Sequence, residues 1–215
     1  GKSTLLNCLS AQIIPDDGEV LFRSPSRGDV NILKLTEADQ RYLARTEWAY
    51  VHQNPRDGLR MSVSAGGNIG ERLMNIGRRH YGNIRDTAEN WMQRVELNVG
   101  RIDHRPETFS GGMQQRLQIA RNLVTGPRLI FMDEPTGGLD VSVQARLLDL
   151  LRSLVQELSL SVIIVTHDLA VVRMLADKMV VMQRGNVVET GLADQVLDDP
   201  QHPYTQLLVS SILRV

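Results

Sequence analysis

The sequence has a single cysteine, no apolar run approaching the roughly 18 residues of a membrane span, and no excess of either charge, with 24 Lys and Arg against 25 Asp and Glu. Each shortage excludes something. Cys8 alone cannot close an intrachain disulfide, so a reducing, cytoplasmic compartment is expected. A net charge of -1 provides no field that would collect nucleic acid or an anionic membrane surface, and no nucleic-acid partner is expected. Repeats of solenoid length and low-complexity tracts are missing as well. What is present is 215 residues, 42% hydrophobic and 23% charged, enough for one sizeable core.

Periodicity divides the chain. Residues 3–11 read as a helix opened by a hydroxyl residue, and the turn chemistry of PDDG at 15–18 ends it. EVLFR and WAYVHQ read as strands, the second closing on polar His52 and Gln53. Residues 54–124 carry helical periods, with Met61, Met74 and Trp91 expected in the helical core. Met113, Leu117, Ala120 and Val124 share one face of the last of these helices, and Gly126 and Pro127 stop it. RLIFM, a leucine-rich helix at 142–158, SVIIVT and DLAVVRMLA then alternate strand and helix, the signature of parallel strands covered on both faces. KMVVMQ, RGN and VVET predict a hairpin.

Several short stretches carry chemistry. Gly1, Lys2, Ser3 and Thr4 match the last four positions of the phosphate-binding loop G-x-x-x-x-G-K-[ST]. In that loop Lys2 is a point charge on phosphate and Ser3 a hydroxyl ligand of Mg2+; alone, the four residues read first as a helix cap beside a solvated lysine. The apolar strand LIFM runs into Asp133 and Glu134, placing two carboxylates at the carboxyl edge of a parallel sheet, where open α/β folds bind ligands. Asp133 suits Mg2+ and Glu134 suits a base acting on water, unless Asp-Glu-Pro merely ends a strand. SVIIVT delivers His167 to the same edge, and Gln53 ends the WAYV strand within the same reasoning, as a ligand of metal or a sensor of phosphate. His52 reads as structural. Ser110, Gly111 and Gly112 precede a helix, a second anion-binding device in one chain. Two such devices fit one nucleotide if the helical part folds onto the core, or if two chains pair head to tail.

GKST, Gln53, FSGGMQQR, LIFMDEPTGGLD and His167, in that order, resemble the motifs of the ATP-binding-cassette ATPases over essentially the whole chain. The resemblance implies an α/β fold with a RecA-like P-loop core, a parallel sheet and an inserted α-helical subdomain. The expected divisions are 1–53 and 126–190 for the core, 54–125 for the helical part, and 191–215 for a C-terminal helical segment. It implies a homodimer sandwiching ATP and Mg2+, with Glu134 and His167 catalytic, and with Ser3, Gln53 and Asp133 at the metal. Gly1, Lys2, Ser3, Thr4, Gln53, Ser110, Gly111, Gly112 and Asp140 would contact nucleotide, Asp140 from across the dimer. Met113 departs from the commoner glutamine and receives no phosphate contact. The resemblance also makes the chain an N-terminally truncated piece, its phosphate loop begun upstream, and such a piece is expected to fold poorly and bind ATP weakly.

Two branches of the family compete. QHPYTQLL at 201–208 looks like the C-terminal segment of dipeptide and oligopeptide importer ATPases, which implies a membrane permease as partner and a place at the inner membrane. Residues 54–74 and GRRHYGNIR more closely resemble the ATPase of the carbon-phosphorus lyase system of phosphonate metabolism, which implies a soluble bacterial lyase core complex instead. The region after Gln53 matters here because it meets the permease in transporters of the family. Arg78, Arg79 and His80 could form part of a docking face, though a short charged run is more often simply solvated. A scaffold that binds ATP without hydrolysing it would need neither Glu134 nor His167, and both are present.

Overall fold

The computed structural model describes residues 1–212. In chain order the first part holds α1 (Lys2–Leu9), β1 (Leu21–Ser24), β2 (Gly28–Asn31), α2 (Glu37–Thr46) and β3 (Trp48–Val51). Helices alone follow: α3 (Pro55–Gly58), α4 (Ala65–Asn75), α5 (Tyr81–Arg94) and α6 (Gly111–Leu123), with short 3-10 turns between. Then come β4 (Leu129–Asp133), α7 (Val141–Leu158), β5 (Ser161–Val165), α8 (Leu169–Leu175), β6 (Lys178–Gln183), β7 (Asn186–Leu192), α9 (Ala193–Asp198) and α10 (Pro203–Ile212).

β3, β4 and β5 form a parallel sheet with β4 in the middle. The register pairs Val51 with Met132 and Asp133 with Val165, so all three carboxyl ends open on one edge. Side chains alternate between the two faces, as the two-residue period of a strand requires. Ala49, Val51, Ile130 and Met132 join a large core with α4, α5, α6 and α7, whereas Trp48 and Phe131 join Leu6, Ile32 and Leu43 on the other side. Trp48 meets Phe22 and Phe131 edge-on, at ring centroids 5.3 and 6.5 Å apart. Because the large core takes residues from the sheet and from the helices of 54–125 alike, those helices do not pack around a core of their own.

Three expectations need correction. β4 is buried on both faces, but β5 is an edge strand with Ser161 and Ile163 exposed, so the parallel strands are not all covered. Met74 is 42% exposed, because the buried stripe of α4 runs through Ala65, Ile69 and Leu73 and leaves the next residue on the solvent side. Trp91 is buried and Met61 packs on the same core. Finally, α1 is not opened by a serine cap: Gly1 takes the cap position, and the Ser3 hydroxyl goes elsewhere. β6 and β7 pair antiparallel about a turn whose central residues, Arg184 and Gly185, both have positive φ, 50° and 87°. That geometry matches the right-handed twist of the paired strands.

Candidate active site at the carboxyl edge of the sheet

The catalytic candidates gather at the edge that β4 and β5 define. The Ser3 hydroxyl, from the first turn of α1, donates to Asp133 Oδ1 at 3.0 Å. A hydroxyl and a carboxylate at hydrogen-bond distance are a fitting half of an Mg2+ site, since that ion takes one or two protein oxygens and completes its shell with phosphate and water. Lys2 and Thr4 lie exposed beside them.

One residue further, Glu134 stands at the centre of a second group. Its backbone has φ 42°, a left-handed conformation that an L side chain adopts only when held there, at a cost of about 1–3 kcal/mol. The holding bonds are visible. Glu134 N–H donates to Val165 O at 2.8 Å, and Glu134 C=O accepts from Gly137 N–H at 2.9 Å. The side chain is fixed at both oxygens, Oε2 by Gln53 Nε2 at 3.1 Å and Oε1 by His167 Nδ1 at 2.9 Å. His167 is 72% exposed and Glu134 only 21% exposed at the side chain, so the carboxylate is screened by its own partners while the ring faces solvent. Gln53 thus meets the carboxylate of Glu134; among the described residues no hydrogen bond joins it to Ser3 or Asp133.

The second stretch expected to bind an anion stands apart. Ser110 caps α6, its Oγ accepting a long bond of 3.4 Å from Met113 N–H, and Ser110 and Gly111 are exposed. Gly111 packs toward Leu139 of the TGGLD loop, and the two share a cleft with Gln53, Gln114, Gln115 and Gly138. Asp140 is exposed at the head of α7 with no capping bond. Among the described residues, Ser110, Gly111, Gly112 and Asp140 make no hydrogen bond to Lys2, Ser3, Asp133, Glu134 or His167. Gly112 is buried, and a Cβ there would stand 2.5 Å from Val143 Cγ1. Its smallness lets α6 approach α7. Gly112→Ala should therefore cost about 1–3 kcal/mol through overpacking, read as a lowered midpoint in a thermal melt without nucleotide.

One set of residues near the site escaped the sequence reading. Gln118 donates through Nε2 to His52 O at 3.1 Å and accepts His52 N–H on Oε1 at 2.7 Å, while Gln115 Nε2 reaches the same carbonyl at 3.4 Å. The helix that begins with Ser110 therefore grips the backbone next to Gln53. Glutamines three apart on a helix look like a solvent face in sequence, and nothing in the spacing of Gln115, Gln118 and Asn122 marks the stripe they share as buried. His52 is structural in its ring as well, resting on Tyr50 at 4.7 Å, and burial lowers its pKa against the opposing pull of Asp57 and Asp133. Burial and the charge of Asp133 push the Tyr50 hydroxyl up to about 12, so it stays a neutral donor to Asn7 Oδ1 at 2.7 Å.

Comparison with known proteins agrees with this geometry. The family described as "ABC transporter" matches residues 1–137, and "Oligopeptide/dipeptide transporter, C-terminal region" matches 188–215. The putative phosphonates utilization ATP-binding protein PhnK of Escherichia coli K12 is 65% identical over 214 residues, which take in all of this chain and 83% of that protein. The dipeptide transport ATP-binding protein DppF of the same organism is 38% identical over 215 residues, and the chain spans 63% of its length. Among solved structures, the dimeric post-hydrolysis state of the ATP-binding cassette MJ0796, bound to ADP and Pi, superposes with a TM-score of 0.79 at 28% identity, over 90% of this chain and 81% of that one. With the family matched over most of its length and the RecA-like fold in place, the chain belongs to the ABC transporter family, as one of its ATP-binding-cassette ATPases.

Proposed function

We propose that this chain hydrolyses Mg-ATP between two head-to-tail copies and that the cycle serves a carbon-phosphorus lyase complex in bacterial phosphonate metabolism. The observation that carries the catalytic part is the junction of Ser3–Asp133 with Gln53–Glu134–His167 at one sheet edge. Bound at Ser3 and Asp133, Mg2+ would neutralise charge on the β- and γ-phosphates. Lys2 adds a positive charge beside it. Glu134 takes the proton of the attacking water; each of its oxygens accepts one bond from a neighbour and keeps a lone pair free. With Glu134 ionised, the bond assigns the proton of His167 to Nδ1, which orients the carboxylate while the exposed ring faces the phosphate side. Ser110, Gly111 and Gly112, presented by the second copy, close on the γ-phosphate with backbone N–H groups and the positive end of α6, and Asp140 approaches from the same copy. The dimeric state of the MJ0796 cassettes supports the pairing.

The partner assignment rests on 65% identity to a phosphonate-utilization protein against 38% to a dipeptide transport protein. One observation favours the importer reading. The segment matched to the peptide-transporter C-terminal region is anchored here, with Glu189 accepting from the N–H groups of Gln201 and His202 at 2.9 and 3.1 Å. Among the described residues no helix is long and apolar enough to cross a membrane. Affinity purification of the tagged protein from its own cells, without detergent and then with it, separates the two. Soluble lyase proteins in stoichiometric amounts are expected in both preparations; a membrane protein recovered only with detergent would overturn the lyase assignment and support the importer.

A further inference from the structure

The turn that leads into Ser110 is held from two sides. From within, buried Gln114 donates through Nε2 to Pro106 O at 2.9 Å and to Phe109 O at 3.1 Å. From the outer side, Arg101 Nη2 donates to Thr108 O at 2.9 Å and to Thr108 Oγ1 at 3.0 Å, while its Nη1 lies 3.7 Å from Met113 Sδ in the first turn of α6. The same guanidinium sits over the Phe109 ring, 4.5 Å from its centroid. One planar group thus touches both residues before the Ser110 cap and a residue of the helix turn after it.

Other arginines of the helical part are used differently. Arg60, Arg85, Arg116 and Arg121 each pair with a carboxylate, whereas Arg101 forms no ion pair among the described residues. Its backbone has a fixed base. Arg101 N–H donates to Asn98 O at 3.0 Å, and the residues after it accept the first N–H groups of α4, Gly66 on Ile102 O and Ala65 on His104 O, both at 2.8 Å. The side chain reaches from that base to a turn whose own serine cap is weak, its bond 3.4 Å long. A charged donor to a carbonyl is stronger than a neutral one, and a cation over a ring adds a second attraction. An ammonium on a flexible stem supplies one of these contacts but not the plane that makes all of them together.

The N–H groups at the start of α6 stabilise phosphate only if they already point at it when a second copy closes, and misplacement by an ångström can cost about a hundredfold. We propose that Arg101 is a positioning residue for ATP hydrolysis: through Thr108, Phe109 and Met113 it sets the orientation of Ser110, Gly111 and Gly112 before the copies meet, without touching nucleotide itself. The inference rests on the head-to-tail reading above.

In the full chain, Arg101→Ala should lower the kcat of phosphate release about tenfold, the scale of a lost charge-assisted bond and ring contact. Equilibrium binding of a non-hydrolysable ATP analogue to the single copy, which the proposed site takes from Lys2 and Ser3, should stay unchanged. Arg101→Lys should recover little of the loss. A second readout locates the defect within the pair of copies. Reassembled in equal amounts with Lys2→Ala, Arg101→Ala should yield about a quarter of the unaltered rate, because one site of each mixed pair combines an intact lysine with an intact α6 turn. Reassembled with Gly111→Asp, it should show no gain over the mean of the two variants measured apart, because no site then has an intact α6 turn. A residue that only keeps the chain folded would not sort its partners in this way. If Arg101→Ala melts below the assay temperature, exposed Thr108 carries the test: Thr108→Val should lose about threefold in kcat and sort its partners alike. An unchanged kcat, ATP affinity lost in step with kcat, full recovery in Arg101→Lys, or a gain with Gly111→Asp would overturn the proposal. So would the absence of a gain with Lys2→Ala where Lys2→Ala and Gly111→Asp restore one another. If that last pair also shows no gain, the head-to-tail reading fails and this inference falls with it.

Discussion

Glu134→Gln lowers phosphate release by about 10²–10⁴-fold, the usual worth of a positioned general base, while ATP still binds. The size follows from how little else the substitution changes. The amide has the shape of the carboxylate, leaves the Val165 and Gly137 backbone bonds untouched, and can still bond Gln53 or His167 on its oxygen side. It cannot accept a proton from water. Binding energy, which the proposed site draws from Lys2, the Ser3–Asp133 pair and a second copy's α6, is left in place, so the variant should accumulate as an ATP-bound pair of larger hydrodynamic size. Single-turnover phosphate release against equilibrium nucleotide binding separates the two effects. Equal release by the two proteins would remove Glu134 from the mechanism.

Gly111→Asp should abolish hydrolysis almost as completely, from a residue that touches none of the catalytic side chains within one chain. The fold tolerates it. A Cβ at Gly111 meets only Leu139 Cδ2, at 3.6 Å, an ordinary contact. An aspartate in the first turn of α6 also favours the helix through its dipole. What changes is charge. A carboxylate set about 4 Å from an incoming phosphate oxygen costs about 4 kcal/mol at the effective dielectric of a partly exposed site, nearly a thousandfold. The expected result is an unchanged melting curve without nucleotide, loss of phosphate release, and loss of the nucleotide-dependent pair. A variant that hydrolyses ATP at the normal rate would mean that the α6 terminus faces no phosphate.

The gathering of these residues at one sheet edge was readable in the sequence because strand, apolar run and terminal polar residue coincide three times: at Gln53, at Asp133–Glu134 and at His167. Parallel register does the rest, since pairing Asp133 with Val165 brings residues 33 apart in sequence, Glu134 and His167, within 2.9 Å. Other features lie beyond local pattern. The destination of the Ser3 hydroxyl depends on a carboxylate 130 residues away, and a serine near a helix start reads as a cap without it. The grip of Gln115 and Gln118 on His52 depends on how α6 packs against β3, which no periodicity encodes. Met74 and β5 were misjudged for a related reason. Hydrophobic character reports what a residue prefers, while its exposure is decided by which neighbours happen to cover it.

Whether one nucleotide is gripped by two chains is decided most directly by complementation. Lys2→Ala removes the lysine side of every site and Gly111→Asp the α6 side, so each variant alone is expected to be inactive. Dissociated and reassembled in equal amounts, half the dimers contain one of each, and in those one of two sites combines an intact Lys2 from one copy with an intact Gly111 from the other. Phosphate release should return to about a quarter of the unaltered rate. If each site were built within a single chain, no mixture of the two variants would contain an intact one, and a rate that stayed at the level of the separate variants would contradict the account.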